Sequence, residues 1–175
     1  MTWFRQGYPG LVAWEFHVLV VASVTATSDE LIGELKARAA RGRTLYTLVM
    51  PAPGGGKVGR EAGRRSLEAA IERLRSEGLE VDGGVGDHDP IGAVHDAWDP
   101  LKYDEVVIST LPTGASKWLQ VDLPHRVEKL TGVHVTHVVA QPPRPEAKVE
   151  RMERAREGYG VLSPLSAITG KRPER

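Results

Sequence analysis

The chain has 175 residues, long enough for one domain with its own hydrophobic core. Lys plus Arg and Asp plus Glu both number 23, so the basic excess that marks nucleic-acid binders is missing. There is no cysteine, which excludes disulfides, thiol nucleophiles and cysteine-ligated zinc, and no apolar run reaches the roughly 18 residues of a membrane helix.

Residues 1–15, MTWFRQGYPGLVAWE, carry Trp3, Tyr8 and Trp14 without periodicity. They read as a terminal arm folded over a surface, with an oligomer contact as the alternative. FHVLVVA (16–22) is nearly continuously apolar, as in a strand buried on both faces. A signal peptide would need a basic leader and a small-residue cleavage site. Here Arg5 is the only early basic residue, and Glu15 and His17 interrupt the apolar run. A buried first strand and a cytoplasmic protein are therefore expected.

A polar turn, SVTATS (23–28), follows, and Thr27 with Glu30 has capping-box spacing ahead of a helix whose stripe is Leu31, Leu35 and Arg38/Ala39. LYTLVM (45–50) is the second strand. PAPGGGK (51–57) is a breaker-rich loop, and 61–77 is a helix with Leu67, Ala70, Ile71 and Leu74 on one face. LEVDGGV (79–85) is a third strand whose alternation and glycines suggest a sheet edge. Asp89 and Pro90 suit the cap and first turn of a short helix buried through Ile91, Val94, Ala97 and Trp98.

Residues 104–108 form strand four. Residues 123–131 form a helix with Leu123, Val127 and Leu130 inward and Gly132 as its stop, and 133–140 form strand five, again edge-like. Strands alternating with helices at this spacing predict a parallel sheet with right-handed crossovers and helices on both faces: a three-layer α/β/α domain over 16–140 with five strands. Beyond Gln141, PPRP (142–145) breaks the chain and a polar, charged stretch follows, so 141–175 is treated as a tail.

The element order, Gly86-Asp87 after strand three, Arg126-Val127 in the last helix and VHVTHVV (133–139) together resemble the universal stress protein family over residues 16–140. The resemblance implies the adenine nucleotide alpha hydrolase-like strand order 3-2-1-4-5, with a crevice between strands one and four where open α/β sheets hold ligands. It also implies a homodimer through strand five (133–140). The nucleotide-binding branch of that family carries G-x-x-G-x9-G-[ST] after strand four, whose backbone amides close on phosphates. This sequence departs from that motif. Ser109 and Pro112 stand near the first two glycines, with one residue inserted, and Val121-Asp122 replaces the final pair. Asp122 at the helix start is expected to accept the first-turn amides itself, filling the anion seat with its own charge.

The candidate ligand crevice comprises Thr25, Thr27, Met50, Asp87, Ser109, Thr110, Thr113, Gly114, Ser116 and Asp122. Other constellations are weaker. GGGK (54–57) lacks P-loop spacing and reads as a mobile loop. His88, Asp89, His95 and Asp96 have metal-like composition without helical ligand spacing, and His134 and His137 point to opposite faces of a strand. His125 can approach Asp122, but no nucleophile elbow accompanies it. The expected function is that of a non-catalytic, universal-stress-type regulatory or stress-response protein with weakened or lost ATP binding and no cofactor. Binding of an adenine nucleotide through a rearranged loop is the first alternative, and a small-molecule hydrolase or transferase on the same fold the second.

Overall fold

The computed structural model describes residues 15–112, 118 and 122–141. The apolar run after Glu15 becomes β1 (Phe16–Val21), whose residues Val18 to Val21 are fully buried. A strand apolar on both faces needs cover on both sides, and alternate residues of β1 divide between two cores. Val18 and Val20 join one core with α1 (Asp29–Ala39) and α2 (Gly56–Ser76). Leu19 and Val21 join the other with α3 (Pro90–Ala97) and α4 (Leu123–Thr131). Each such Val or Leu side chain contributes about 2 kcal/mol by leaving water.

The remaining strands are β2 (Thr44–Pro51), β3 (Glu80–Gly86), β4 (Glu105–Thr110) and β5 (Val135–Val139). All pairings are parallel and the order is β3-β2-β1-β4-β5, so the three layers and the strand order agree with expectation. Both strands read as edges, β3 and β5, are edges. β1 sits at the centre with β2 and β4 beside it, Val21 pairing with Val49 on one side and Ile108 on the other.

Local details differ from the sequence reading in four places. Ser28, not Thr27, caps α1, its Oγ accepting the Leu31 N–H at 3.2 Å while Thr27 is exposed. Helix α2 begins at Gly56 rather than at 61, so the glycine run is the entry to a helix and not a free loop. Gly54 and Gly56 adopt positive φ (86° and 76°), and a Cβ on Gly59 would lie 2.3 Å from the Gly54 carbonyl oxygen. The glycines thus let the chain fold sharply back on the helix's first turn, a geometry any side chain would obstruct. Ala93, not foreseen, is buried with Val94 in α3, and Leu130 of α4 is 40% exposed rather than inward. Asp89 does cap α3, accepting the Gly92 N–H at 3.0 Å, with Pro90 in the first turn. The sequence-based arm (1–15, all but its last residue) and tail (141–175, beyond its first) lie outside the described residues.

A partly buried ion pair ties α1 to β4 and β5. Arg38 donates to both oxygens of Glu105, from Nε at 3.1 Å and from Nη2 at 2.6 Å. Thr136 Oγ1 donates to the same carboxylate at 2.6 Å and accepts from Arg38 Nη2 at 2.9 Å. Burial alone would raise the Glu105 carboxyl, but the hydrogen bonds from Arg38 and Thr136 outweigh it and hold it below the ordinary carboxylate range. The bond to Glu105 in turn raises Arg38, against the opposing effect of burial. Because removing one partner strands a desolvated charge, Glu105→Ala should destabilise the fold by about 3 kcal/mol, whereas the double change Arg38→Met, Glu105→Leu should recover most of that loss. Urea denaturation of the two variants measures the contrast.

Candidate functional site

The order reversal lies between β1 and β4, where successive crossovers leave in opposite directions and open a crevice beyond the strand C-termini. Thr25 follows β1, and Ser109 and Thr110 end β4, so the fold brings these three predicted residues together. Thr25 Oγ1 donates to the Ser109 carbonyl at 2.9 Å, a bridge between segments 84 residues apart. All three are buried, with exposures of 3%, 1% and 2%. Ser109 Oγ is the one buried side-chain polar atom without a hydrogen-bond partner among the described residues. Thr110 Oγ1 and His137 Nε2 are 2.8 Å apart, joining β4 to β5.

The other predicted residues are dispersed. Met50 is buried in the core on the α1/α2 face of β2. Asp87, just beyond β3, is occupied locally: its Oδ1 accepts the Asp89 N–H at 2.8 Å and lies 2.8 Å from His88 Nδ1, while its backbone carbonyl accepts the Ala52 N–H. The Asp89 amide, foremost, holds its carboxyl below the ordinary range. Thr27 faces solvent. Thr113, Gly114 and Ser116 lie outside the described residues.

Asp122 corrects an expectation. It stands at the N-cap of α4, but with left-handed backbone angles (φ 51°, ψ 48°) and no hydrogen bond from its side chain to the first turn. An N-cap residue normally takes extended angles, which aim its side chain at the amides; the left-handed conformation does not. Asp122 therefore leaves the anion seat of α4 unfilled by its own charge. His125 is exposed.

The weaker constellations resolve into local contacts. His88 meets Asp87, and His95 meets Asp96 at 3.5 Å. Among the described residues no cluster of three or more His, Asp or Glu side chains could hold a metal ion. The sequence reading missed the Arg38–Glu105–Thr136 cluster, which forms part of the wall of a cleft of about 660 Å³ at the opposite, N-terminal edge of the strands. Its only sequence signal was an arginine on the buried stripe of the first helix.

By sequence, the chain matches no protein-family model and no curated protein. By structure, it is similar to the universal stress protein of Archaeoglobus fulgidus in complex with dAMP, with a TM-score of 0.54 and 16% identity over 72% of this chain and 98% of that one. A second structure of universal stress protein from the same organism superimposes with a TM-score of 0.50 and 22% identity, covering 70% of this chain and 93% of that one. The fold is that of universal stress proteins. Within this universal-stress fold, the chain places buried hydroxyls and a cross-strand hydrogen bond at the crevice, with no glycine among the last residues of β4.

His137 gives the crevice a pH dependence. Burial pushes its imidazole below the ordinary histidine value, so the folded state resists the proton that the unfolded chain accepts. Stability contributed by neutral His137 is present above the unfolded pKa of about 6.5 and is lost as pH falls below it. Urea midpoints at about pH 7.5 and about pH 5.5 should show this loss, and a His137→Gln variant should show a smaller one.

Proposed function

We propose that this chain is a non-catalytic regulatory protein of the universal stress type, acting in a stress response, with nucleotide binding at the β1/β4 crevice weakened or lost. The observation that carries this reading is the Thr25–Ser109 hydrogen bond together with the burial of Thr25, Ser109 and Thr110. A ligand crevice needs accessible donors, and these hydroxyls are withdrawn into the junction of the two strands. Ser109 belongs to β4 itself, opposite Val138 of β5, and its carbonyl accepts the Thr25 hydroxyl, so it does not stand in a phosphate-wrapping loop. Pro112 offers no amide at the second glycine position.

One observation favours nucleotide binding as the second reading. No amide of the first turn of α4 donates to the Asp122 carboxylate, so that carboxylate does not take the place of an anion there, and the fold neighbour from Archaeoglobus fulgidus is a complex with dAMP. Thermal unfolding separates the two readings. Saturating ATP or AMP should leave the midpoint unmoved, whereas a ligand at 100 times its Kd would stabilise the fold by about 2.7 kcal/mol. Near-stoichiometric ATP or AMP in native mass spectra of the purified protein would overturn the first reading.

We further propose a homodimer through β5. Val139 is exposed at that edge, with Leu130 of α4 also exposed, and a parallel edge that carries apolar side chains and pairs with no further strand among the described residues favours pairing with its copy. Sedimentation velocity should show a dimer for the parent protein and a shift toward monomer for Val139→Lys. A parent that stays monomeric across the accessible concentrations would exclude this assembly.

A further inference from the structure

The charges of α2 are divided unevenly along its length. Residues 56–65 hold four cations, Lys57, Arg60, Arg64 and Arg65, against the single acid Glu61. In residues 66–77 the acids Glu68, Glu72 and Glu77 outnumber Arg73 and Arg75. A helix macrodipole favours acids in the first turn and bases in the last. The last turn follows that preference, but the first turn holds no acid and carries Lys57 instead. Helix stability therefore does not account for the cations at the start. The later cations also have partners: Arg73 pairs with Glu77, and Arg75 Nε donates to the Val81 carbonyl at 2.8 Å. Among the described residues, none of the first four forms an ion pair, and all four are exposed.

Packing against the sheet holds these groups outward. The buried side of α2 starts with Gly59 and Gly63, and a Cβ added to Gly63 would lie 3.0 Å from a Val85 methyl, so the first turns lie close against β3. At about 100° per residue, Lys57, Arg60 and Arg64 fall within about 60° of one another along about 10 Å of the axis. Arg65 and Val58 share a neighbouring line, and Val58 is 81% exposed, an apolar side chain set among cations. Pro53, Gly54, Gly55 and Gly56, which lead into the helix, are exposed as well, so this end of α2 is an open corner of the domain. Asp87, near enough to Arg60 to feel its charge, already accepts the Asp89 N–H and meets His88. A nucleic-acid backbone would use the cations but leave Val58 in water. An anionic bilayer surface uses both, because headgroup phosphates meet the cations while the apolar tip enters the interface. We propose that the start of α2 is a docking surface for an anionic lipid membrane, with Lys57, Arg60, Arg64 and Arg65 on headgroup phosphates and Val58 in the interface.

Sedimentation of the full-length protein with vesicles tests this. At low ionic strength it should pellet with an equimolar mixture of phosphatidylcholine and phosphatidylglycerol, and stay in the supernatant with phosphatidylcholine alone. The double change Arg60→Gln, Arg64→Gln should weaken the partition by about 25-fold, each cation at an anionic surface being worth about fivefold. Val58→Ser should weaken it too, while leaving its salt dependence unchanged. The double change Arg41→Gln, Lys129→Gln removes the same charge elsewhere and should bind as the parent does. All these positions are exposed or half-buried, and equal thermal midpoints show that each variant is folded. Failure to pellet, equal pelleting with both vesicle types, or an equal loss in the Arg41/Lys129 variant would overturn the proposal. So would binding of single-stranded or duplex DNA that depends on Arg60 and Arg64 and not on Val58, without vesicle binding, which would assign the surface to nucleic acid.

Discussion

The β1–β4 junction is the constraint on which the rest of the structure depends. It is where the sheet changes direction, and it is fastened at both ends. At the N-terminal edge, Asp104 uses its amide to reach the His17 carbonyl and its carboxylate to accept the His17 N–H. At the C-terminal edge, Thr25 reaches the Ser109 carbonyl. Between these ties both strands are buried on both faces, so neither can shift without exposing two cores at once. The same closure that stabilises the centre of the sheet buries the hydroxyls of Thr25, Ser109 and Thr110 at the strand ends.

The Arg38–Glu105–Thr136 cluster has a related role one layer out. Desolvating a guanidinium and a carboxylate is costly, and the gain depends on every lone pair and N–H finding a partner. Here that condition is met by two side-on hydrogen bonds and a threonine on the edge strand. The cluster consequently fixes how α1 lies over β4 and β5, and it neutralises one end of the N-terminal cleft.

Much of the fold was legible in the sequence because it rests on local patterns. Continuous apolar runs gave the central strands, glycine-containing alternation gave β3 as an edge, and Asp89-Pro90 gave the start of α3. Errors arose where a local rule competed with a close alternative. Thr27 and Ser28 are adjacent capping candidates, and only the path of the turn decides which hydroxyl meets the first amides. The three glycines before Lys57 looked like a loop because glycine is a weak helix former; the positive φ of Gly54 and Gly56 and the close approach at Gly59 turn them into a helix entry. Asp122 has the right chemistry for a cap, but its backbone is left-handed and its carboxylate accepts no first-turn amide.

By itself, the sequence determined the layer architecture, the number and direction of the strands and the two edge positions, because burial periodicity and connection length act within short stretches of chain. It also placed the candidate crevice at the ends of the first and fourth strands. Only the tertiary structure decided that Thr25 closes on Ser109, that Asp122 leaves the first turn of α4 uncapped, and that Arg38 finds Glu105 67 residues away. Those outcomes depend on backbone angles and on the distances between segments remote in sequence, quantities that residue type and spacing do not encode.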